Sequence, residues 1–257
     1  MRFLPYFYIL ASSSWSTWWV GIKKDFVLNF VQANRWKLIL NGLGVTVKVT
    51  LIAMVLGIIL GIIVAAIRSS YDLTKDEAKK NKVSWAILSV LNVIAKVYLT
   101  IIRGTPVVIQ LLIIYFVIFA SSDNGVMIAS LAFGINSGAY VAEIFRSGIM
   151  SIDKGQMEAG RSLGFNYLQT MRYIIIPQAF KNVLPALANE FIALLKETSV
   201  SGYVAIQDLT RAGNIIRSKT YSAYMPLIGV ALIYLAMVMA LTAGVSRLER
   251  RLRNSDH

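Results

Sequence analysis

The chain has 257 residues, of which 56% are hydrophobic and only 15% are charged, and its formal net charge is +13. Soluble domains carry about 25% charged residues, so the composition indicates a membrane protein whose basic loops face anionic lipid rather than nucleic acid. The sequence has no cysteine and its one histidine is His257. This excludes disulfides, cysteine- or histidine-based metal sites and histidine-based catalytic triads.

The first segments of the chain are aromatic and then strongly apolar. Residues 1–22 form either an interfacial segment anchored by tryptophans or an extra membrane span. A long apolar segment follows at 38–67, and it is interrupted only by Lys48. Within it, Gly57 and Gly61 form a GxxxG pair, which permits two helices to approach closely.

The charges between the later apolar segments predict the topology. Residues 68–82 contain five basic residues and therefore read as a cytoplasmic loop. Residues 83–120 are interrupted by an Arg-Gly-Thr-Pro sequence, so they form either one long, bent span or two short ones. The charge rule prefers five crossings with the N-terminus outside and the C-terminus in the cytoplasm. The remaining predicted segments are spans at 126–145, 182–206 and 223–246, a polar stretch at 146–181 and an external loop at 207–222.

The polar stretch at 146–181 is too long for an idle connection. Ser151 or Asp153 can cap a helix at its start, and Gly164 can end that helix as a C-cap residue. Asn166 can then cap a second helix that re-enters the membrane. The pattern predicts a helix–turn–helix element that docks into a groove of a cytoplasmic partner. The alternative is an amphipathic helix that lies on the lipid headgroups.

This stretch resembles the EAA signature of the permease subunits of ABC importers. That family has Glu-Ala-Ala, three residues, glycine, nine residues, isoleucine, one residue and Leu-Pro. Here the matching residues are Glu158, Ala159, Gly164, Ile174 and Pro177, with Gly160 in place of the second alanine and Ile176 in place of the leucine. Three further segments are similar to the polar amino-acid branch of the family, namely RGTPVVIQLLIIYF (103–116), NSGAYVAEIFRSGIMSIDKGQMEAG (136–160) and ANEFIALLKETSV (188–200).

The resemblance covers about residues 38–247 and implies the fold. The expected fold is an all-α, polytopic membrane protein with about five transmembrane helices. It is the type I ABC-importer permease fold with a cytoplasmic coupling helix. The expected division is an N-terminal extension at 1–30, a transmembrane domain at 31–247 that contains the coupling region 146–181, and a basic cytoplasmic tail at 248–257.

The resemblance also implies partners in a bacterial inner membrane. The resemblance implies two ATPase subunits that would bind ATP and Mg. This chain itself has no GxxxxGK[ST] phosphate loop, and we expect no catalytic residue or cofactor on it. The other expected partners are a second permease subunit, identical or homologous, an extracytoplasmic solute-binding protein, the amino-acid substrate and membrane lipids. The implied ATPase-coupling residues are Glu158, Ala159, Gly160 and Gly164.

Charged side chains in the predicted spans point to a substrate path, since each costs about 2.5–3.5 kcal/mol at mid-membrane. Glu190 and Glu197 lie two turns apart on nearly the same helix face. They either contact a cationic substrate group or form ion pairs with Lys196, Arg103 or Lys96. The first alternative favours a basic amino acid, while glutamine and other neutral polar amino acids stay open.

The sequence Arg103-Gly104-Thr105-Pro106 predicts a second polar site. Pro106 frees a backbone carbonyl, so this interruption is either a polar cavity or a simple proline kink. In the first case Thr105 and Gln110 can meet the α-amino or carboxylate group of a substrate. Glu143 is more simply explained as an ion pair with Arg146, one helical turn away. The other candidate path residues are Asn136, Tyr140 and Asn189.

An alternative function keeps the membrane path but dispenses with the ATPase. An ion-gradient-driven amino-acid carrier or channel would need no coupling helix, and inverted repeats would be expected in it. No convincing internal repeat is visible in the sequence, and this favours the ABC importer.

Overall fold

The computed structural model describes residues 15–74 and 82–253. Residues 1–14 of the aromatic segment, 75–81 of the basic loop and 254–257 of the tail lie outside the described residues. Short π or 3₁₀ segments at Val27–Val31, Gln32–Asn34, Ile114–Ile118, Met171–Ile175 and Thr198–Val204 adjoin the α-helices. In chain order the α-helices are α1 Trp15–Phe26, α2 Trp36–Thr74, α3 Lys82–Gly104, α4 Val107–Ile113, α5 Gly125–Met150, α6 Lys154–Ser162, α7 Tyr167–Thr170, α8 Ile176–Glu197, α9 Leu209–Thr220 and α10 Tyr224–Arg253.

Within the described ranges, the helices α2, α3, α5 and α10 are long and apolar enough to cross a membrane. The predicted segment 83–120 splits at Thr105-Pro106, so that α3 alone has the length of a span and α4 is short. The predicted span 182–206 coincides with α8 and the 3₁₀ segment after it. The lysines and glutamates of α8 reduce its mean hydropathy and leave it outside this set.

Helix α5 occupies the centre of the bundle and packs along α2 through small residues. A β-carbon on Gly57 would lie 3.2 Å from Ser137 Cβ, and one on Gly61 would lie 2.7 Å from Val141 Cβ. Reciprocally, a β-carbon on Gly134 would lie 2.8 Å from Leu56 Cβ. The close helix approach predicted from the GxxxG pair is therefore confirmed. Because lipid is as apolar as a leucine side chain, such close packing is what holds membrane helices together.

The largest buried cluster joins α2, α4, α5 and α8. Leu111, Phe133 and Leu194 are fully buried in it, and Val183 is almost fully buried. In contrast, only 6% of the apolar window of α10 is buried, against 67% for α5. The outer helices therefore present apolar side chains to lipid or to partners, and α5 is the helix on which polar side chains meet in the interior.

The segment predicted as an external loop at 207–222 is mostly helix α9, and the expectation of a loop was wrong. Its small and apolar residues at helical spacing, among them Leu209, Ala212 and Ile216, are fully buried and pack with residues of α2 and α10. Arg211 donates a hydrogen bond to the Gly202 carbonyl at 3.0 Å. The many polar residues of this segment made its narrow apolar face hard to recognise in the sequence, and the face is evident only from the packing.

Candidate functional site

The predicted polar helix is present as α6, and its two ends are formed by the expected residues. The side chain of Asp153 accepts a hydrogen bond from the Gly155 amide at 2.7 Å and caps the N-terminus. At the other end Gly164 has a φ of +87°, a conformation that glycine adopts without a steric penalty. The Phe165 amide donates to the Gly160 carbonyl at 3.1 Å, which closes a Schellman-type cap.

The second helix of this element, α7, begins with a capping box, as Asn166 predicted. The Gln169 amide donates to the Asn166 side chain, and the Asn166 amide donates to the Gln169 side chain, both at 2.9 Å. The chain then continues through a π-helical turn into α8, where Pro177 lies in the first turn. The helix ends on both sides of the turn between α6 and α7 are thus capped.

The four predicted coupling residues do not share one environment. Glu158 and Ala159 are exposed, and Gly164 lies in the exposed turn. Gly160 is buried instead, because a β-carbon there would lie 2.6 Å from Thr170 Cγ2 and 2.9 Å from Thr170 Oγ1. Gly160 therefore allows α6 and α7 to pack together, while the first two residues face outwards.

Exposed leucines accompany these residues. Leu163 and Leu168, on either side of the turn, are each 75% exposed, and Phe165 lies exposed between them. An exposed apolar tip on an otherwise polar element is typical of a surface that a partner covers. The sequence pattern did not single out these side chains.

A second candidate site surrounds the break between α3 and α4. In a continuous helix the Ile102 carbonyl would accept from the amide of residue 106, but Pro106 has no such hydrogen. The Gln110 side chain takes its place and donates to the Ile102 carbonyl at 2.7 Å and to Thr105 Oγ1 at 2.8 Å. Gln110 therefore has a structural role that the sequence analysis did not foresee.

The same glutamine connects the break to the central helix. Asn136 on α5 donates a hydrogen bond to Gln110 Oε1 at 3.0 Å, and both side chains are buried. The next residue on α5, Ser137, donates to Glu190 Oε1 on α8 at 2.7 Å. Two polar contacts thus attach at adjacent residues of α5, one from Gln110 at the break and one from Glu190 on α8.

Of the ion pairs that the sequence left open, some are formed in the structure and others are not. None of the ion pairs between described residues includes Glu190, Glu197 or Lys196. Glu197 is half-buried and is the last residue of α8, and Asn189 is exposed. The pairing of Glu190 with Arg103 or Lys96 that the sequence left open does not occur in the described chain.

Glu143 and Arg146 form the predicted local pair, although with a long N–O distance of 3.8 Å. Arg103 approaches Glu143 at 3.9 Å, and its guanidinium lies 5.5 Å from the centroid of the Tyr140 ring. A shorter ion pair joins Arg146 to Asp72 of α2 at 2.9 Å. Asp72 and Ser137 were missed, because their partners lie 74 and 53 residues away in the chain.

The part of the chain that the structure describes contains no group of three or more histidine, cysteine, aspartate or glutamate residues that could hold a metal ion. The described residues form two candidate sites that differ in their chemistry. One is a capped surface element with an exposed apolar tip, and the other is a hydrogen-bonded polar cluster inside a helical membrane bundle. Together these two features are typical of a membrane transport protein that also carries an element for docking onto a partner.

Comparison with known proteins agrees with that form. Residues 84–254 match the family described as the binding-protein-dependent transport system inner membrane component. Over 217 residues the chain is 35% identical to the putative glutamine transport system permease protein GlnP of Rickettsia typhi, which covers 83% of this chain and 92% of that protein. Over 166 residues it is 40% identical to the arginine transport system permease protein ArtQ of Bacillus subtilis, covering 63% of this chain and 76% of that protein.

Solved structures extend the likeness to three dimensions. A crystal structure of an amino acid ABC transporter with histidines superposes with a TM-score of 0.73 at 40% identity, covering 84% of this chain and 94% of that chain. The MetNI methionine ABC transporter shares the fold, with a TM-score of 0.70 at 18% identity over 86% of this chain and 99% of that chain. The chain therefore belongs to the family of inner-membrane permease components of binding-protein-dependent ABC transport systems. The predicted all-α, multi-pass fold is confirmed.

Proposed function

We propose that this chain is the permease subunit of an ATP-driven importer that carries polar amino acids across the bacterial inner membrane. The relatives named as glutamine and arginine permeases support the amino-acid substrate. In the complex, two ATPase subunits bind ATP and Mg, a second permease subunit completes the pathway, and a solute-binding protein delivers the substrate. The N-terminus lies outside and the C-terminus in the cytoplasm, as the basic loop at 68–82 and the basic tail favour.

The observation that carries the coupling role is the exposed tip of the α6–α7 element. Both helices are capped internally, so the element holds its shape without a partner. Glu158 and Ala159 remain exposed beside the exposed leucines Leu163 and Leu168. A rigid helix–turn–helix with a small apolar tip suits a cleft in an ATPase subunit, and movement of that subunit would be transmitted directly to α5 and α8, which flank it.

The substrate path follows the polar cluster on α5. Polar side chains in a bundle interior are expensive unless they meet one another or a hydrated substrate. Among the described residues, Glu190 accepts a hydrogen bond from one serine hydroxyl and forms no ion pair, so its carboxylate retains acceptor capacity for a substrate ammonium or guanidinium group. Asn136 and Gln110 form a second polar contact at the adjacent position of α5, and Tyr140, Asn189 and Glu197 extend the path. This arrangement favours a basic amino acid.

The coupling role is tested by co-purification of the chain with its ATPase. The double variant Glu158→Lys/Leu163→Asp should lose the ATPase subunit, because it reverses a charge and places a carboxylate on the apolar tip. Tyr221→Ala is the matched control, since Tyr221 is 96% exposed at the end of α9, outside the element. Retention of a fully active ATPase by the double variant contradicts the proposal, as does ATP-independent uptake by the chain alone in liposomes.

The preference for a basic substrate has its own test. In the reconstituted complex, Glu190→Gln should reduce uptake of arginine about tenfold and uptake of glutamine much less, because only arginine loses a charge-assisted contact. Both substrates are measured with a solute-binding protein that delivers them. An equal loss for both amino acids contradicts the electrostatic role of Glu190 and leaves the importer itself in place.

A further inference from the structure

A cavity of about 650 Å³ lies between α2, α3 and α5, apart from the Glu190 cluster. Three basic side chains line it, namely Arg68, Lys96 and Arg103, together with the carboxylate of Glu143 and the ring of Tyr140. Three cations against one carboxylate give the wall an excess of positive charge. An anionic group that enters the cavity is therefore attracted to it.

Two of the three basic groups are partly held by the protein. Arg68 donates a hydrogen bond to Asn92 Oδ1 at 2.9 Å, while its buried Nε has no hydrogen-bond partner in the described ranges. Arg103 approaches Glu143 at only 3.9 Å and rests on the Tyr140 ring. Both guanidinium groups thus keep donors that a ligand can use.

Lys96 is the least compensated of the three. No carboxylate in the described part of the chain forms an ion pair with it, and its side chain is exposed to the cavity. It lies about 20 Å along the helix from Val83 and about 12 Å from Gly104, near the middle of the span. An ammonium group at this depth is costly unless water or an anion accompanies it.

We propose that Lys96, with Arg68 and Arg103 beside it, binds the α-carboxylate of the amino acid during its passage through the permease. This inference rests on the proposed function and adds a contact to it. Every amino acid carries this carboxylate, so the site is independent of the side-chain selection that we assign to Glu190. Glu143 on the same wall, whose contacts to Arg103 and Arg146 are both long at 3.9 and 3.8 Å, supplies a carboxylate for the α-ammonium group.

The test uses equilibrium binding of radiolabelled L-glutamine and L-arginine to the purified permease–ATPase complex without the solute-binding protein. Each amino acid is competed with its decarboxylated counterpart, 4-aminobutanamide or agmatine. We expect the wild-type complex to bind the amino acid and to bind the counterpart about tenfold more weakly. Lys96→Met should weaken amino-acid binding by a similar factor and should remove the difference between amino acid and counterpart.

Two variants serve as controls for folding and charge. Lys48→Met removes another lysine of a membrane helix that does not line the cavity and should leave binding unchanged, and Lys96→Arg should restore it. Unchanged binding in Lys96→Met, or equal binding of amino acid and counterpart to the wild type, overturns the proposal. Stimulation of the ATPase by the loaded solute-binding protein is measured on the same preparations. If it persists, failure of the Lys96 site does not imply failure of the importer function.

A lipid phosphate is the other source of an anion for this cavity. The melting temperatures of the wild-type and Lys96→Met complexes are therefore also measured in nanodiscs of phosphatidylcholine and of phosphatidylglycerol. We expect the melting temperatures of the wild type and Lys96→Met to differ by the same amount in both lipids. If phosphatidylglycerol stabilises the wild type but not Lys96→Met, and amino-acid binding is unaffected by the substitution, the ligand is a headgroup and the proposal is overturned.

Discussion

Gly61 is the position at which the central helix pair is most sensitive to added volume. In the variant Gly61→Ala, the new β-carbon would lie 2.7 Å from Val141 Cβ and 3.0 Å from the Ala142 amide nitrogen. Non-bonded carbon atoms prefer about 3.5–4.0 Å, and neither of these atoms moves when a side chain changes rotamer. The two helices must therefore separate, and overpacking of this kind costs about 1–3 kcal/mol.

The helical preference of alanine over glycine offsets part of this loss, by about 0.5–1 kcal/mol. We expect a net destabilisation of about 1–2 kcal/mol, measured by reversible denaturation of the purified protein in detergent. Gly44→Ala is the matched control on the same helix, since no atom lies within 4 Å of its β-carbon. It should be neutral or stabilising. Equal stability of the two variants would refute the close α2–α5 packing.

Three further predictions concern the polar sites. Gln110→Leu leaves the Ile102 carbonyl without its donor and should lower the free energy of unfolding by about 1–3 kcal/mol in the same denaturation assay. The matched control is Gln178→Leu, because Gln178 also donates to a backbone carbonyl but lies on the exposed face of α8. It should change the free energy of unfolding by less than about 0.5 kcal/mol. Gly160→Ala should lower the melting temperature because its β-carbon meets Thr170, and the additional change Thr170→Ala should recover part of the loss; no recovery would contradict the contact. Burial raises the pKa of Asp208, which lies outside the apolar spans, from 3.8 to about 6. Because its folded pKa is the higher one, its stabilising contribution is complete below about pH 4 and is lost as the pH rises through about 6. The melting temperature of the wild type should therefore fall between pH 5 and pH 7.5 more than that of Asp208→Asn, and parallel curves would exclude this titration.

Local signals in the sequence predicted the helix–turn–helix structure of α6 and α7 almost completely. Asp153, Gly164 and Asn166 act on backbone groups within a few residues of themselves, so their chemistry can be read from spacing alone. The membrane class and the GxxxG contact were predictable for a similar reason, since composition and helical periodicity do not depend on the partner helix. The polarity of the 207–222 segment misled the prediction, because α9 needs only a narrow apolar face to pack.

The sequence by itself determined that this chain is a helical membrane protein with a capped helix–turn–helix element, because those properties come from apolar length and local capping. Tertiary structure alone decided that Gln110 completes the broken helix, that Glu190 meets Ser137, and that Lys96 faces a cationic cavity. Each of these depends on the register between helices that are distant in the chain. That register is set by which small residues allow the helices to approach, and no local pattern contains it.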